Sequence, residues 1–442
     1  MARPSPPLLE IVRAGSPGLE RRWREAERAS AAAERVAERI VRDVRRRGDA
    51  ALAEWSRRFP AAGQGRYAPG ERVSAAALAA AWRRTPPALR RALRQAAGNI
   101  RRMAEWQKPR PWMRRVLPGV CVGQLVRAIE SVGCYVPGGR YPLPSTLLMT
   151  ALPARTAGVP RVVVACPSPA DAVLAAAHLA GVEEFRVMGG AQAIAALAYG
   201  TRTLAPVAKI VGPGNEYVTA AKRLVAGDCE IDFAAGPTEV LWLARGGENP
   251  AFIAADLIAQ AEHDPRAAAW LVTPAGDLAR AVQQEVERQM GARPNAVAAA
   301  ALRRRSAIIL ARDWTHALAL ADRLAPEHLT LPAADLAKVH NAGSVFLGDY
   351  APQAVGDYLS GTNHVLPTQG RARLRGGLSV TDFLKLITVQ RLTKAGLRRL
   401  ALHIVTLAEA EGLHAHAGSV AVRLQPAAQR TAAATLTPEG RK

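Results

Sequence analysis

Short apolar runs alternate with glycine-bearing turns and helical stretches from about residue 127 to residue 347. The clearest runs are residues 161–166 and 240–244, which consist largely of Val, Leu and Ala. Runs of this kind are typical of strands buried on both faces of a parallel sheet. Because they alternate with helices, the sequence predicts βαβ units and an α/β fold with doubly wound sheets. Ligands of such sheets bind beyond the carboxyl ends of the strands, where the glycine turns lie.

A chain of 442 residues is too long for one compact core, so we expect more than one domain. The alternation occurs in two stretches, which predicts two Rossmann-like parallel-sheet units, with a helical N-terminal region before them and a helical C-terminal tail after them. The predicted divisions are an N-terminal arm (1–28), a main α/β domain (29–133 and 239–378), an inserted Rossmann-like domain (134–238), the helical tail (379–425) and a disordered end (426–442).

The formal net charge of +22 raises nucleic-acid binding as an alternative. However, the Arg residues are spread along Ala-rich helical segments, and aromatic residues do not interleave with them as stacking platforms would. We therefore interpret them as a solvated surface and expect no nucleic-acid partner. The four cysteines lack metal-binding spacing, and no run is as long and apolar as a membrane span. We expect a soluble protein in the reducing cytoplasm.

Glycine-bearing turns follow the predicted strands of the inserted domain at residues 138–139, 189–190 and 212–214. Glycine lets a backbone approach a ligand closely, but many turns contain it for their own geometry. The dinucleotide fingerprint GxGxxG is absent. Both a nucleotide site and ordinary turns remain open on this pattern.

Glu327 and His328 are adjacent and follow Pro326, which disfavours the interior of a helix. The pair is therefore expected to begin an element or to lie in a loop. A carboxylate beside an imidazole is what proton transfer near neutral pH requires. A solvated surface pair would have the same sequence, but eight of the nine histidines lie after residue 260, several among carboxylates and amides. We treat the pair as a candidate for proton transfer.

Gln260 and His263 lie three residues apart near the end of a predicted helix, so they share a face. Two such side chains suit the binding of one metal ion. The alternative is a capped helix end whose histidine interacts with the helix dipole, and the spacing alone favours this simpler interpretation.

Two further polar clusters occur later in the chain. Residues 356–364 place Asp357 and His364 between glycines, and this density of polar groups is typical of site loops. Residues 411–416 contain an acid and two histidines, which would share a face if they lay on a strand. Imidazole, carboxylate and amide ligands would suit zinc, held by the assembled fold. A merely exposed tract is the alternative for the last cluster.

The chain resembles the histidinol dehydrogenase family over about residues 30 to 425. The resemblance depends on long motifs that occur in one order. They are residues 135–139 (YVPGG), 189–197 (GGAQAIAAL), 211–215 (VGPGN), 231–239 (IDFAAGPTE) with 256–263 following, 325–329 (APEHL), 360–368 (SGTNHVLPT) and 411–416 (EGLHAH).

The resemblance implies oxidation of L-histidinol through L-histidinaldehyde to L-histidine, by two hydride transfers to NAD, at the end of histidine biosynthesis. It implies one zinc ion per subunit, held by Gln260, His263, Asp357 and His416. Glu327 and His328 match the acid/base pair of the family: His328 would accept the alcohol proton, and Glu327 would help to activate the water that hydrates the aldehyde.

The resemblance also implies a set of binding residues and an assembly. The substrate-contacting positions of the family are matched by Thr238, Gln260, His263, His328, Asp357, His364, Glu411 and His416. The NAD-contacting positions are matched by Tyr135, Gln192 and Asn215. The family forms intertwined homodimers in which the C-terminal tail of one subunit completes the site of the other, so Glu411 and His416 would act in trans.

Small departures from the family pattern leave the substrate open. Thr238 stands where many members have Ser, and Trp242 is large for an aliphatic strand position. A paralogue that oxidises another small polar alcohol with NAD is therefore the main alternative. The remote alternative is a basic nucleic-acid-binding protein on a degenerate enzyme fold. The intact Glu327, His328 and metal-ligand positions argue against it.

Overall fold

The computed structural model describes residues 7–17, 19, 31–60, 66–138 and 141–426. The chain forms two compact units. The first contains the residues up to 108 and residues 129–383, and the second contains residues 109–128 and those from 384 onward. The predictions for the end of the chain after residue 426 and for Gly139 lie outside the described residues. None of the described helices is long and apolar enough to cross a membrane.

A parallel sheet, here called the main sheet, lies in the first unit. In spatial order, its described strands are β1 (Ile11–Arg13), β12 (Ala307–Leu310), β11 (Ala268–Thr273), β10 (Glu239–Leu243), β13 (His328–Leu331) and β14 (Ser344–Leu347). Helices α9 (Pro250–Ala261), α10 (Gly276–Ala292) and α11 (Ala296–Arg305) cover one face, and α12 (Trp314–Leu324) covers the other. A short helix, α13 (Gln353–Tyr358), follows β14.

Both faces of the main sheet are buried. Along β10, Val240 and Trp242 belong to the core under α9 to α11, whereas Leu241 and Leu243 belong to the core under α12. Successive side chains of a strand point to opposite faces, so a strand covered on both sides must be apolar throughout. The prediction of buried parallel strands in this stretch is confirmed.

A second sheet of the first unit, here called the insert sheet, is formed mainly by residues 131–231. In spatial order, its described strands are β2 (Arg72–Val73), β7 (Glu184–Arg186), β6 (Arg161–Ala165), β5 (Ser131–Tyr135), β8 (Lys209–Val211) and β9 (Glu230–Ile231). All neighbours are parallel except β2 and β7. The accompanying helices are α5 (Pro144–Ala157), α6 (Asp171–Leu179), α7 (Gly190–Tyr199) and α8 (Glu216–Val225).

The N-terminal segments are placed differently from the predicted divisions. Residues 11–13, expected in an arm, form β1 and pair with β12 at the edge of the main sheet. The helical N-terminal region consists of α1 (Ala31–Arg47), α2 (Asp49–Arg58), α3 (Ala75–Arg84) and α4 (Pro87–Gln107). These helices pack against α5 to α8 of the insert, although the sequence analysis assigned them to the main domain. An amphipathic pattern shows that a helix has a buried face, but it does not show which sheet covers that face.

The second unit is built around an antiparallel sheet of β3 (Trp112–Leu117), β4 (Val120–Ala128) and β15 (Leu384–Leu392). Helices α14 (Lys394–Ala410) and α15 (His414–Leu424) follow. Residues 384–392 of the predicted helical tail therefore form a strand, and the tail is α-helical from residue 394. His414 and His416 lie on a helix, so the suggestion that they share the face of a strand is wrong.

Candidate functional site

Glu327 and His328 lie at the amino end of β13, and both side chains are buried. Thr238 precedes the neighbouring strand β10, in which Val240 pairs with His328. The pair therefore begins an element, as predicted from Pro326. The surrounding groups lie at the amino edge of the main sheet, not at the carboxyl ends of its strands.

The Glu327 carboxyl group is held by two donors. Its Oε2 accepts a hydrogen bond from Thr238 Oγ1 at 2.5 Å and another from the Glu239 backbone N–H at 2.8 Å. Thr238 Oγ1 in turn accepts a hydrogen bond from Gln260 Nε2. Burial raises the pKa of Glu327 to about 8, and the nearby Asp357 carboxylate acts in the same direction. The carboxyl group can therefore exchange a proton near neutral pH.

The His328 ring has one nitrogen available as a proton acceptor. Its Nδ1 lies 3.2 Å from the Glu239 carbonyl oxygen, which can only accept, so Nδ1 carries the proton. Its Nε2 lies 3.9 Å from Asp357 Oδ1. Burial lowers the pKa of His328, although the Asp357 carboxylate opposes this. A neutral imidazole with Nε2 towards Asp357 is arranged as a base.

The predicted metal ligands of the first unit lie around this pair. Gln260 is buried at the end of α9, and His263 follows the same helix end, where it is exposed. Burial lowers the pKa of His364, the Asp357 carboxylate raises it, and His328 and His263 act in the same direction as burial. In the described ranges, no three His, Cys, Asp or Glu side chains form a complete metal site by themselves. The predicted set also includes the Gln260 amide and His416.

The His364 ring is fixed on both sides. Nδ1 lies 2.9 Å from the Asp357 backbone carbonyl oxygen, to which it donates, and Nε2 lies 3.1 Å from Thr146 Oγ1. Thr146 is buried in the first turn of α5. Thr146 was not predicted as a site residue, although the helix that contains it follows the 138–139 turn. The ring is therefore held between the loop that carries Asp357 and a helix of the insert.

The three predicted NAD-contacting residues line one cleft of the insert. Tyr135 ends β5, Gln192 lies in the first turn of α7, and Asn215 precedes α8, all at the carboxyl edge of the insert sheet. The cleft has a volume of about 570 Å³. Tyr135 Oη accepts a hydrogen bond from the Gly190 N–H at 3.1 Å, and Asn215 caps α8. The predicted residues therefore lie together at this edge, and their contact with NAD stays a prediction.

Gly212 allows the turn before Asn215 to lie directly against β5. Its φ is +113°, and a Cβ there would lie 2.1 Å from the Tyr135 carbonyl oxygen, so no other residue fits without movement. The turn is also fastened from beneath, because Asp232 accepts the Gly212 N–H at 2.8 Å and Lys222 donates to the Gly212 carbonyl at 3.0 Å. Asp232 and Lys222 form a buried ion pair.

A second cavity, of about 360 Å³, adjoins this cleft. The two share Pro137 and Asn215, and the second is also lined by Gly236 and Pro237, which precede Thr238 in the chain, and by Gln369.

The remaining predicted residues, Glu411 and His416, lie in the second unit. Glu411 caps the end of α14, and His416 lies in the first turn of α15. Both are exposed in the single chain.

The profile of the histidinol dehydrogenase family matches residues 23–424 of the chain. The chain belongs to the histidinol dehydrogenase family. A histidinol dehydrogenase from Methanothermobacter thermautotrophicus is 50% identical over 397 residues, which cover 87% of this chain and 92% of that protein. One from Rhizobium meliloti is 48% identical over 398 residues, covering 88% and 91%. The crystal structure of a histidinol dehydrogenase from Elizabethkingia anophelis has a TM-score of 0.88 at 34% identity, and the match covers 95% of this chain and 98% of that one.

Membership of the histidinol dehydrogenase family confirms the resemblance found in the motifs and the assignment to the oxidoreductases. The α/β fold with parallel-sheet units is confirmed as well. The roles of individual site residues stay predictions, which the geometry described above supports.

Sequence reasoning missed Glu239, although it belongs to a motif of the histidinol dehydrogenase family. The Glu239 backbone N–H donates to Glu327, and its backbone carbonyl oxygen accepts from His328 Nδ1. Its side-chain Oε1 accepts the Gln369 N–H at 2.9 Å. Burial raises the pKa of Glu239 to about 8, with a smaller contribution from Glu327. A carboxylate at the start of an apolar strand, directly after Thr238, was the available signal.

Proposed function

We propose that the chain catalyses the NAD-dependent oxidation of L-histidinol, through L-histidinaldehyde, to L-histidine in two hydride transfers, with one zinc ion per subunit. The observation that carries this proposal is the buried pair of Glu327 and His328, whose polar atoms converge beside Asp357. The family membership and the histidinol dehydrogenases at 50% and 48% identity support the choice of substrate.

His328 would act as the base for the alcohol. Its Nδ1 is committed to the Glu239 carbonyl group, so Nε2 accepts the hydroxyl proton while the hydride leaves the neighbouring carbon. The lowered pKa keeps the ring neutral before the reaction, which is the form that accepts a proton. The same atom would serve in the second oxidation.

Glu327 would act on the water that hydrates the aldehyde. The donors from Thr238 and Glu239 hold its Oε2, which fixes the orientation of the carboxyl group. A pKa of about 8 allows the group to take a proton from water and to return it near neutral pH. Burial at the amino edge of the main sheet keeps bulk water away from the reactive aldehyde.

The chain's donors fit both cofactors. Amide, imidazole and carboxylate groups from Gln260, His263 and Asp357 suit zinc, with the fourth ligand from His416 of the partner subunit. The cleft with Tyr135, Gln192 and Asn215 suits NAD in volume and in its glycine turns. When bound, zinc supplies a Lewis acid that polarises substrate groups, and NAD accepts the hydride.

The proposed assembly is an intertwined homodimer in which the tail completes the partner's site. In the single chain, the second unit exposes large apolar side chains, including Leu402 at 74% and Leu407 at 65% exposure, and every residue of β3 is exposed. Apolar surface of this extent on a soluble enzyme is typical of a face that another chain covers. A dimer would also bring Glu411 and His416 to a site of the first unit in the second copy.

A cytoplasmic location is part of the proposal. The cysteines of the described chain are all free thiols, and Cys134, Cys166 and Cys229 are buried. A protein with unpaired cysteines fits a reducing compartment.

The test is NADH formation by purified protein with L-histidinol and NAD. We expect two NADH per histidinol, activity loss after chelation, and recovery when zinc is returned. The isosteric Glu327→Gln variant should stop or strongly slow the reaction while still binding zinc. Protein that binds one zinc per subunit but does not oxidise histidinol would contradict the proposal and would direct a screen of other polar alcohols.

A further inference from the structure

The loop from Asp357 to His364, here called the 357–364 loop, is fastened to two helices that belong to the insert side of the first unit. Asn363 Nδ2 donates to the Met149 carbonyl oxygen of α5 at 2.7 Å. Asn99 Nδ2 of α4 donates to the Leu359 carbonyl oxygen at 2.7 Å. The loop is thus hydrogen-bonded to both helices through side-chain amides, at its middle and near its end.

Gly361 shows how closely this loop lies against α4. Its φ is +92°, and a Cβ there would lie 2.5 Å from the Asn99 carbonyl oxygen. A side chain at this position would be strained and would also push the loop away from the helix. The close approach and the Asn99 hydrogen bond therefore act on the same segment.

The fastened loop carries two predicted site residues at its ends. Asp357 faces His328, and His364 is held between the Asp357 carbonyl group and Thr146 of α5. Leu359, in the middle, lines a cavity of about 560 Å³ together with His263 and Leu148. A shift of the loop would move Asp357, His364 and the wall of this cavity at once.

We propose that Asn99 and Asn363 are positioning residues that hold the 357–364 loop at a fixed position relative to the insert. The inference rests on the proposed function, because it assumes that the substrate lies against this loop and that the hydride acceptor lies in the insert cleft. The two reacting partners are then held by different parts of the first unit. The amide contacts connect those parts, and orientation of reactants is among the largest contributions to catalysis.

The test compares Asn363→Ala and Asn99→Ala with the control Ser360→Ala. Among the described residues, the Ser360 hydroxyl group bonds to Thr362 of the same loop, at 2.8 Å, and not to either helix. We expect kcat with histidinol to fall by about tenfold to a hundredfold in the two Asn variants, because misplacement by about 1 Å has effects of that size. The KM for NAD should stay within about twofold of the wild-type value, since the cleft is unchanged. Asn99 is partly exposed, so Asn99→Ala keeps the test valid if Asn363→Ala folds poorly.

Hydrogen exchange provides a readout that does not depend on the substrate. The amides of residues 359–365 should exchange faster in both Asn variants than in Ser360→Ala. Faster exchange with unchanged kcat, or an equal loss of kcat in the Ser360→Ala control, would overturn the positioning role. If the proposed function is wrong, wild-type protein does not oxidise histidinol, and this result is distinct from the outcomes above. Hydrogen exchange then still tests the hydrogen bonds of Asn99 and Asn363, because unchanged exchange in both variants would show that these bonds do not hold the loop.

Discussion

The hydroxyl group of Thr238 offers the sharpest test of how the site controls Glu327. Thr238 Oγ1 donates to Glu327 Oε2 at 2.5 Å and accepts from Gln260 Nε2. Thr238→Val keeps the shape of the side chain and removes only the hydroxyl group. Thr238→Ser keeps the hydroxyl group and removes the methyl group, so it is the matched control.

The size of the effect follows from the hydrogen bond. Burial raises the pKa of Glu327 to about 8, and the Thr238 hydrogen bond opposes that rise because it stabilises the carboxylate. A hydrogen bond to a charged group contributes about 1.5–3 kcal/mol, and about 1.4 kcal/mol corresponds to one pH unit. Without this donor, we expect the pKa of Glu327 to rise by about one to two pH units.

The assay is the pH profile of kcat, measured for both variants from about pH 6 to about pH 10. If Glu327 must be ionised to activate water, activity rises as the pH passes its pKa. The acid limb of Thr238→Val should then lie at higher pH than that of Thr238→Ser. At about pH 7, the Val variant should be at least about tenfold slower, and the difference should shrink at high pH.

Thr238→Val also loses the contact with Gln260, and this lowers activity by the same factor at every pH. The diagnostic result is therefore the shift of the acid limb of the pH profile. A constant ratio between the two variants at every pH would refute the reasoning. So would a Thr238→Ser profile displaced as far as that of Thr238→Val, because the hydroxyl group would then not be the cause.

Three further predictions follow from buried charges and from the tail. The pKa of Glu239 is raised from 4.5 to about 8, so its native form binds a proton more tightly than its unfolded form, and its contribution to stability falls as pH rises between these values. Glu239→Gln should therefore match the wild type in thermal stability near about pH 5 and exceed it near about pH 9; the same difference at both would contradict the linkage. Lys222→Met leaves Asp232 buried without its ion-pair partner beneath the Gly212 turn. This should lower the free energy of unfolding by about 3–5 kcal/mol in urea titrations and raise the KM for NAD. The double variant Lys222→Met with Asp232→Asn should lose less of the free energy of unfolding, because no buried charge is left unpaired. An equal mixture of Glu327→Gln and His416→Asn subunits, after random exchange, should recover about a quarter of wild-type activity if the tail acts in trans, because about half of the dimers are then hybrids and each hybrid has one intact site of two; no recovery would place the tail in its own subunit's site.

The central strands of the fold could be predicted because their sequences are continuously apolar. Residues 162–165 and 240–243 are continuous apolar runs, and they form most of two central strands, one in each sheet. The strand β15 was missed for the opposite reason. Its sequence mixes Lys, Thr, Gln and Arg with apolar residues, and both of its faces are largely exposed in the single chain, so neither a buried run nor a clean alternation marks it.

The candidate site was predictable in its residues but not in its position. Glu327, His328 and the polar 357–364 loop stand out by chemistry, and the first two do lie buried beside Asp357. Their location at an amino edge depends on strand order and direction, which the local pattern does not contain. Glu239 was missed because its contacts with Glu327 and His328 are made by backbone atoms, and the carboxylate at the start of an apolar strand was not interpreted as part of the site.

The adjacency of Glu327 and His328 depends on where β13 begins. Within a strand, neighbouring side chains point to opposite faces, so an adjacent pair inside β13 would be separated by the sheet. Here Glu327 precedes the strand and His328 is its first residue. Glu327 can therefore turn to Thr238 while His328 directs Nε2 towards Asp357. Pro326 lies directly before the pair and has no backbone N–H to add to the ladder, so it disfavours an extension of β13 that would force the alternation on the pair.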